Sequence, residues 1–376
     1  AAFTVAGGQG TRLGWNGPKG TFPASVVTGK PLFRLFAEQI LATGRKYETR
    51  IPWYIMTSPM NDADTRAFFQ DNNFFGIDRA DIVMFPQGTM PSLDADTGRL
   101  LLAERDAIAL NPDGHGGSLK ALRESGAIDH MRRRGIEQRS YFQVDNPNVI
   151  AIDPLFTGLH ATAPDSSGEM SSKMVAKAYP EEKVGVFCKS AGRTLVIEYS
   201  DLPEELAGQR DDHGALRYIA GNIAIHMLSV DFVEKLTDDA HAFGLPYHRA
   251  DKIVPYIDPE SGRRVEPAAP NAVKLETFVF DAIPLASKSI VLETDRTREF
   301  APIKNADGVD SAATSHQLQS NRSGRWLVKH GVDVPRTPDG DVDARIEISA
   351  LTALDADDLR VEELPRSIAP GESIVL

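Results

Sequence analysis

Phe3-Thr4-Val5-Ala6-Gly7-Gly8-Gln9-Gly10-Thr11-Arg12-Leu13-Gly14, closed by Pro18-Lys19-Gly20, is a short apolar run that passes directly into glycine. Glycine costs backbone entropy, so a cluster of it marks a chain that must take φ > 0 or let another group approach closely. Backbone N–H donors of such a turn can cradle phosphate oxygens, with Arg12 adding a planar fork and Lys19 a point charge. Taken alone, the stretch reads equally as a surface turn with two solvated cations. Two better-known phosphate loops are excluded. Leu13 stands at the third glycine position of a dinucleotide fingerprint, which disfavours a dehydrogenase, and Pro18 rather than Gly precedes Lys19, which breaks the nucleoside-triphosphatase loop.

Residues 3–6 predict a buried strand with the glycine loop at its C-terminal end, where open α/β sheets bind ligands. Outward from it, Pro31 opens a helix with Leu32, Phe33, Leu35, Phe36 and Ile40 on its apolar face. Residues 53–56 and 81–85 read as strands, with a helix starting at Asn61 between them. A further strand over 141–144 stops at Asp145-Asn146-Pro147. This alternation implies an α/β fold with a parallel sheet covered on both faces. From 170 to 199 the strands are separated by hairpin-like breaks, so antiparallel pairing joins and the sheet becomes mixed, mostly parallel and Rossmann-like. The segment 221–227 leads into a helix over 230–236, residues 273–283 form an amphipathic segment, 289–292 a strand, and a last helix covers about 315–330. Pro-Asp-Gly turn chemistry follows Gly331. The expected domains are 1–307 as the catalytic unit, 308–330 as a connecting segment with a helix, and 331–376 as a small C-terminal β-rich domain.

A net charge of −12 argues against a nucleic-acid partner. Anionic small ligands need only a local gathering of cations. The single cysteine, Cys188, can form no internal disulfide and points to a reducing, cytoplasmic compartment, with the thiol itself read as a small buried hydrophobe. No run is long and apolar enough for a membrane span, so no membrane partner is expected. The chain opens without Met, as a fragment or a chain lacking a leader would.

Asn111-Pro112-Asp113-Gly114-His115-Gly116-Gly117 is a second glycine cluster ahead of a helix, suited to an anion or a base edge and equally to an extended turn. Asp145, at a strand tip, could hold a hard cation such as Mg²⁺ or cap a turn. Asp94-Ala95-Asp96-Thr97-Gly98 has Arg105 where a calcium loop needs its glutamate, and so reads as a hairpin turn. His226 reads as a structural histidine, and Arg132-Arg133-Arg134 as a solvated helix face.

In combination these clusters resemble the UDP-sugar pyrophosphorylase family, most closely its UDP-N-acetylhexosamine branch. The matching stretches are Ala6–Gly14 with Pro18-Lys19-Gly20, Gln87-Gly88-Thr89-Met90-Pro91, Pro112-Asp113-Gly114-His115-Gly116-Gly117 and Val144-Asp145-Asn146. They continue in order through Val184-Gly185-Val186, Val196-Ile197-Glu198-Tyr199-Ser200, Gly221-Asn222-Ile223-Ala224, Phe278-Val279-Phe280-Asp281 and Pro302-Ile303-Lys304-Asn305-Ala306-Asp307. The resemblance implies UMP transfer from UTP to a sugar 1-phosphate, preferably N-acetylglucosamine 1-phosphate, with Mg²⁺ required. It assigns Arg12, Lys19 and Lys304 to the phosphates and Ala6, Gly7, Gly8, Gly10, Gln87, Gly114, His115 and Asp145 to the nucleotide. Asp145 is also the metal ligand, and Gly185, Glu198, Asn222 and Phe278 line the sugar pocket. His115 stands where eukaryotic members carry Asn. A glucose-specific or broad-range pyrophosphorylase, and a non-catalytic sugar-nucleotide binder, remain as alternatives, and the oligomeric state stays open.

Overall fold

A computed structural model describes residues 1–238 and 244–376. Its centre is one nine-stranded mixed sheet. In chain order the strands are β1 (Ala2–Val5), β2 (Trp53–Thr57), β3 (Ile82–Pro86), β4 (Gln138–Gln143), β5 (Met170–Ala176), β6 (Val186–Ser190), β7 (Arg193–Ile197), β8 (Ala220–Ser229) and β9 (Val291–Glu293). The half that carries the glycine loop is wholly parallel, β1 lying between β4 and β2 with β3 beyond. Such strands are covered on both faces, which explains why β2 reads as an unbroken apolar run and is buried throughout. Where β1 and β2 carry polar groups inward they are matched: Trp53 Nε1 donates to Thr4 Oγ1 at 2.8 Å.

The other half is largely antiparallel. β8 pairs with β4 along His226–Ser229 and meets the tip of β6 at Gly221, while β5 runs along its opposite edge and β9 joins β5 in parallel. β6 and β7 form the hairpin expected from Ala191-Gly192. This leaves a gap on one edge of β8, between the C-terminal tip of β4 and the β6–β7 hairpin.

Two apolar clusters, one on each sheet face, form the core. Helix Leu32–Lys46 contributes Leu32, Phe33, Phe36, Ala37 and Ile40 to the first, and helices Gly117–Glu124 and Val230–Thr237 supply Leu119, Leu122, Phe232 and Val233 to the second. The last helix, Ala312–Lys329, starts ahead of the expected position because Ser311 and Thr314 cap it reciprocally. After it the tail contributes a parallel pair, Arg345–Glu347 with Ser373–Val375, and otherwise turns; its apolar cluster takes in Leu327 of that helix. The amphipathic segment resolves into a strand, Ala272–Glu276, followed by a 3₁₀ turn, Val279–Leu285. Asp94 makes the expected turn, its side chain accepting from the Thr97 N–H.

Candidate active site

The glycine loop leaves β1 and folds back on itself: the Gly10 N–H donates to Gly17 O at 2.9 Å and the Lys19 N–H to Gly8 O at 3.0 Å. Arg12 sits exposed on a single 3₁₀ turn, Thr11–Leu13. At Gly7 an added Cβ would lie 2.3 Å from Gln87 Oε1, so the missing side chain is what lets Gln87 lie against the loop. Gly8 faces open space instead.

Asn61, which sequence periodicity marks only as a helix start, braces this loop. Its Nδ2 donates to Ala6 O (3.0 Å) and Gly8 O (3.3 Å), and its Oδ1 accepts from the Ser58 N–H. Replacing Asn61 with Ala strands two buried backbone groups, Ala6 O and the Ser58 N–H, while Gly8 O keeps the Lys19 N–H. The expected loss is about 1–3 kcal/mol, read by urea unfolding, together with weaker nucleotide binding; an unchanged unfolding midpoint would remove Asn61 from this role.

The second glycine cluster packs against the strand Ala272–Glu276 and its exit. Gly114 has φ +86°, and a Cβ there would sit 2.4 Å from Thr277 O, so both backbone and space require glycine. Gln87 is buried and directs its amide N–H groups to Asp113 Oδ1 (3.1 Å) and Gly114 O (3.4 Å). The two glycine clusters are thereby joined through one side chain.

His115 Nδ1 accepts from the Val279 N–H at 3.2 Å. Desolvation lowers its pKa to about 4, so the ring is neutral near pH 7 with its proton on Nε2. It stacks on Phe278 (centroids 5.1 Å apart), whose ring also stacks on His248 (4.3 Å). His226, buried and bonded through Nδ1 to Ser172 Oγ at 2.8 Å, is the structural histidine expected, and burial lowers its pKa to about 3. His160 is likewise lowered to about 4 by burial. For all three the unfolded chain binds protons first, so stability present above pH 6.5 is lost as pH falls toward 4 and below. The urea midpoint is expected to drop between neutral pH and about pH 5, and a flat profile would contradict these assignments.

Asp145, just beyond β4, lies 3.5 Å from Lys19 Nζ, with 14% of its side chain exposed. The segment bearing Lys304 is tied to the same turn: the Ile303 N–H donates to Asp145 O (2.8 Å). Asn146 donates to Glu299 O (2.7 Å) while accepting from the Ala301 N–H (3.0 Å). Lys304 is steadied by Asp310 at 3.4 Å and lies 5.8 Å from the Phe300 ring. Asn146 and Asp310 were not singled out as positioning residues from sequence; an Asn-Pro pair directly after a strand was the available signal for the first.

The gap beside β8 is a cavity of about 370 Å³, lined by Arg12, His115, Asp145, Gly185, Glu198, Asn222 and Lys304 together. Lys183, which no motif indicated, lines it too. At its far end the Asn222 N–H donates to Gly185 O at 2.7 Å, and a Cβ on Gly185 would fall 3.1 Å from Glu198 Oε2. Burial pushes the Glu198 carboxyl up, and the Asp201 carboxylate adds to the effect. Here β8 carries a bulge: Ser172 and Met174, two apart on β5, pair with His226 and Asn222, four apart on β8. Ala224 in the bulge has φ +54°, and its N–H donates to Asn222 Oδ1 at 3.0 Å, which leaves the Asn222 amide nitrogen toward the cavity. Among the assigned residues Ala6, Gly7, Gly8, Gly10, Gln87 and Gly114 form the adjoining loop wall, Lys19 reaches the cavity through Asp145, and Phe278 stands behind His115.

Among the described residues no group of three His, Cys, Asp or Glu side chains could hold a metal by itself. A lone carboxylate suits Mg²⁺, which takes one or two carboxylates and completes its shell with water and substrate phosphates.

A mixed sheet whose glycine loop, cations and lone carboxylate converge at the strand tips belongs to the nucleotidyltransferase class. The particular family follows from comparison. The profile of the UTP–glucose-1-phosphate uridylyltransferase family matches residues 1–340, and the chain belongs to that family. It is 38% identical to the UDP-N-acetylhexosamine pyrophosphorylase-like protein 1 of Homo sapiens, over 96% of this chain and 74% of that protein. It is 36% identical to the UDP-N-acetylglucosamine pyrophosphorylase of Saccharomyces cerevisiae, over 89% of this chain and 71% of that one. The crystal structure of the uridine diphosphate N-acetylglucosamine pyrophosphorylase from Trypanosoma brucei superposes with a TM-score of 0.83 at 29% identity, covering 99% of this chain and 78% of that one. No helix among the described residues is long and apolar enough to cross a membrane.

Proposed function

We propose that this enzyme joins UTP to N-acetylglucosamine 1-phosphate, giving UDP-N-acetylglucosamine and pyrophosphate. The observation that carries the reading is a single cavity with Arg12, Asp145 and Lys304 at one end, Lys19 against Asp145, and Gly185, Glu198 and Asn222 at the other. A phosphate oxygen of the sugar 1-phosphate forms a bond to the α-phosphorus of UTP, and the bond from that phosphorus to the bridging oxygen breaks, releasing pyrophosphate. The nucleophile is already an anion, so positioning and charge neutralisation matter more than a protein base.

Arg12 and Lys19 hold the triphosphate and the departing pyrophosphate, while Lys304 balances charge from the opposite side. Asp145 would hold Mg²⁺, whose charge offsets that of the phosphates. Gln87 has its amide donors occupied, so its Oε1 is left to accept from the uracil N3–H, beside the Gly114 backbone; Ala6, Gly7, Gly8 and Gly10 follow the nucleotide. His115 presents Nε2–H to the cavity, a donor as an Asn amide would be. Glu198 and the Asn222 amide hydrogen-bond the sugar, and Phe278 fixes the His115 ring behind it. A lone cysteine, unable to form an internal disulfide, fits a reducing, cytoplasmic location.

The test is pyrophosphate release from UTP and Mg²⁺ with a panel of sugar 1-phosphates. Release fastest with N-acetylglucosamine 1-phosphate supports the reading. A preference for glucose 1-phosphate transfers the assignment to that sugar, and silence across the panel beside measurable UDP-sugar binding identifies a non-catalytic binder.

A further inference from the structure

Three rings are stacked at the nucleotide side of the cleft. His248 opens the strand His248–Lys252, which pairs antiparallel with Ala272–Glu276 and sets His248 opposite Glu276. Beyond Glu276 the chain reaches Phe278, whose ring stacks on His248 (centroids 4.3 Å apart, planes at 28°) and on His115 (5.1 Å, 19°). Phe278 is thus held between two imidazoles, and of the three rings it is His115 that lines the cleft.

This stack sets the plane of His115. The Val279 N–H bond to Nδ1 fixes one point of the ring, but it leaves the ring to tilt about that point, and the χ2 well of a histidine is broad. Phe278 supplies the flat face that limits the tilt. Phe278 is itself only half-buried, so its own ring needs a cover on the side away from His115. His248 is that cover. Its Nε2 donates to Asp281 Oδ2 at 2.8 Å, and the Asp281 N–H donates to Phe278 O at 3.1 Å, so the imidazole is tied to the same turn as the ring it covers. Its Nδ1 lies 3.7 Å from Asp201 Oδ2, beyond hydrogen-bond range. Asp281 is 15% exposed and Asp201 58%, so the contact with Asp281 is the firm one.

We infer, resting on the reading of His115 as a nucleotide contact, that His248 is a positioning residue for the nucleotide: it fixes Phe278, Phe278 fixes the plane of His115, and His115 Nε2–H is thereby kept aimed into the cleft. Nothing in this chain of contacts runs through the sugar end, where Gly185, Glu198 and Asn222 stand.

Calorimetry on the full chain with Mg²⁺ measures the binding of UDP, UDP-N-acetylglucosamine and UDP-glucose. His248→Ala should weaken UDP binding about five- to tenfold, and that of each UDP-sugar by the same factor. His248→Phe keeps the stacking face and loses the bond to Asp281; it should return to within about twofold of the unsubstituted protein. His248→Gln keeps a donor for Asp281 without an aromatic face and should stay weak. In a His115→Ala background the His248→Ala change should cost less than about twofold, as two groups acting through one another require. Unchanged UDP binding in His248→Ala, rescue by Gln but not by Phe, a loss confined to the UDP-sugars, or an undiminished loss in the His115→Ala background each overturns the inference. Unsubstituted protein that binds no UDP overturns the nucleotide reading and the role of His248 with it, whereas normal binding beside an indifferent His248→Ala overturns the positioning role alone. Melting curves confirm that folded proteins are being compared, and His248→Phe against His248→Gln decides the matter should the Ala variant fail to fold.

Discussion

Lys304→Ala lowers kcat for pyrophosphate release by roughly 10²–10³-fold, the usual cost of losing one preorganised charge at a developing anion, while leaving the unfolding free energy within about 1 kcal/mol. The two effects separate because of where the lysine sits. Its side chain is 31% exposed, and its only carboxylate partner among the described residues, Asp310, is 30% exposed at 3.4 Å. A pair so placed is worth about 0–1 kcal/mol to the fold. Toward the cavity it faces the space shared by Arg12 and Asp145, where the triphosphate would bring several negative charges. Its position is held by backbone rather than by the ion pair: the Lys304 N–H donates to Asp310 O at 2.6 Å and the preceding N–H to Asp145 O. The Ala variant therefore keeps the loop and loses only the charge. Steady-state kinetics beside urea unfolding measure both numbers, and unchanged turnover would take Lys304 out of the mechanism.

Glu299→Ala gives the opposite result, a loss of about 3–5 kcal/mol in stability. Glu299 is fully buried, and its carboxylate accepts twice from Lys173 (2.7 Å each), from Thr294 Oγ1 (2.9 Å) and from the Ile150 N–H (3.2 Å). Lys173, itself 1% exposed, would keep only Asp153 and the face of Phe156. Removing one member of such a group leaves a buried ammonium undercompensated. Glu299→Gln, which keeps the acceptor oxygen and removes the charge, should lose less. Urea midpoints of the two variants test the ordering, and a loss below about 1 kcal/mol for Ala would show that water reaches Lys173.

The parallel half of the sheet was legible because buried parallel strands leave continuous apolar runs, as in Trp53-Tyr54-Ile55-Met56, and glycine loops punctuate them. The glycine loop and Asp145 were legible for the same reason: they follow the tips of β1 and β4, and Arg12 and Lys19 are carried on that loop. Lys304 was not derivable from periodicity, since it sits in an irregular segment, and its motif placed it only by resemblance. The bracing asparagines were hidden because their function lies in contacts across long stretches of chain; Asn146 meets residue 299, and Asn61 meets the loop from residue 6 to residue 8.

The bulge in β8 settles a question of parity. It inserts two residues, and an even number returns the strand to the same up-and-down phase on either side. Ile223, Ile225 and Met227 accordingly stay in one core cluster, while Ala220 and Leu228 stay in the other. A single inserted residue would have turned half the strand inside out. The end of the cleft lined by Gly185, Glu198 and Asn222 is thus a dislocation the sheet tolerates without exchanging its two faces, and the outline of that end can change in steps of two residues while the surrounding core remains the same.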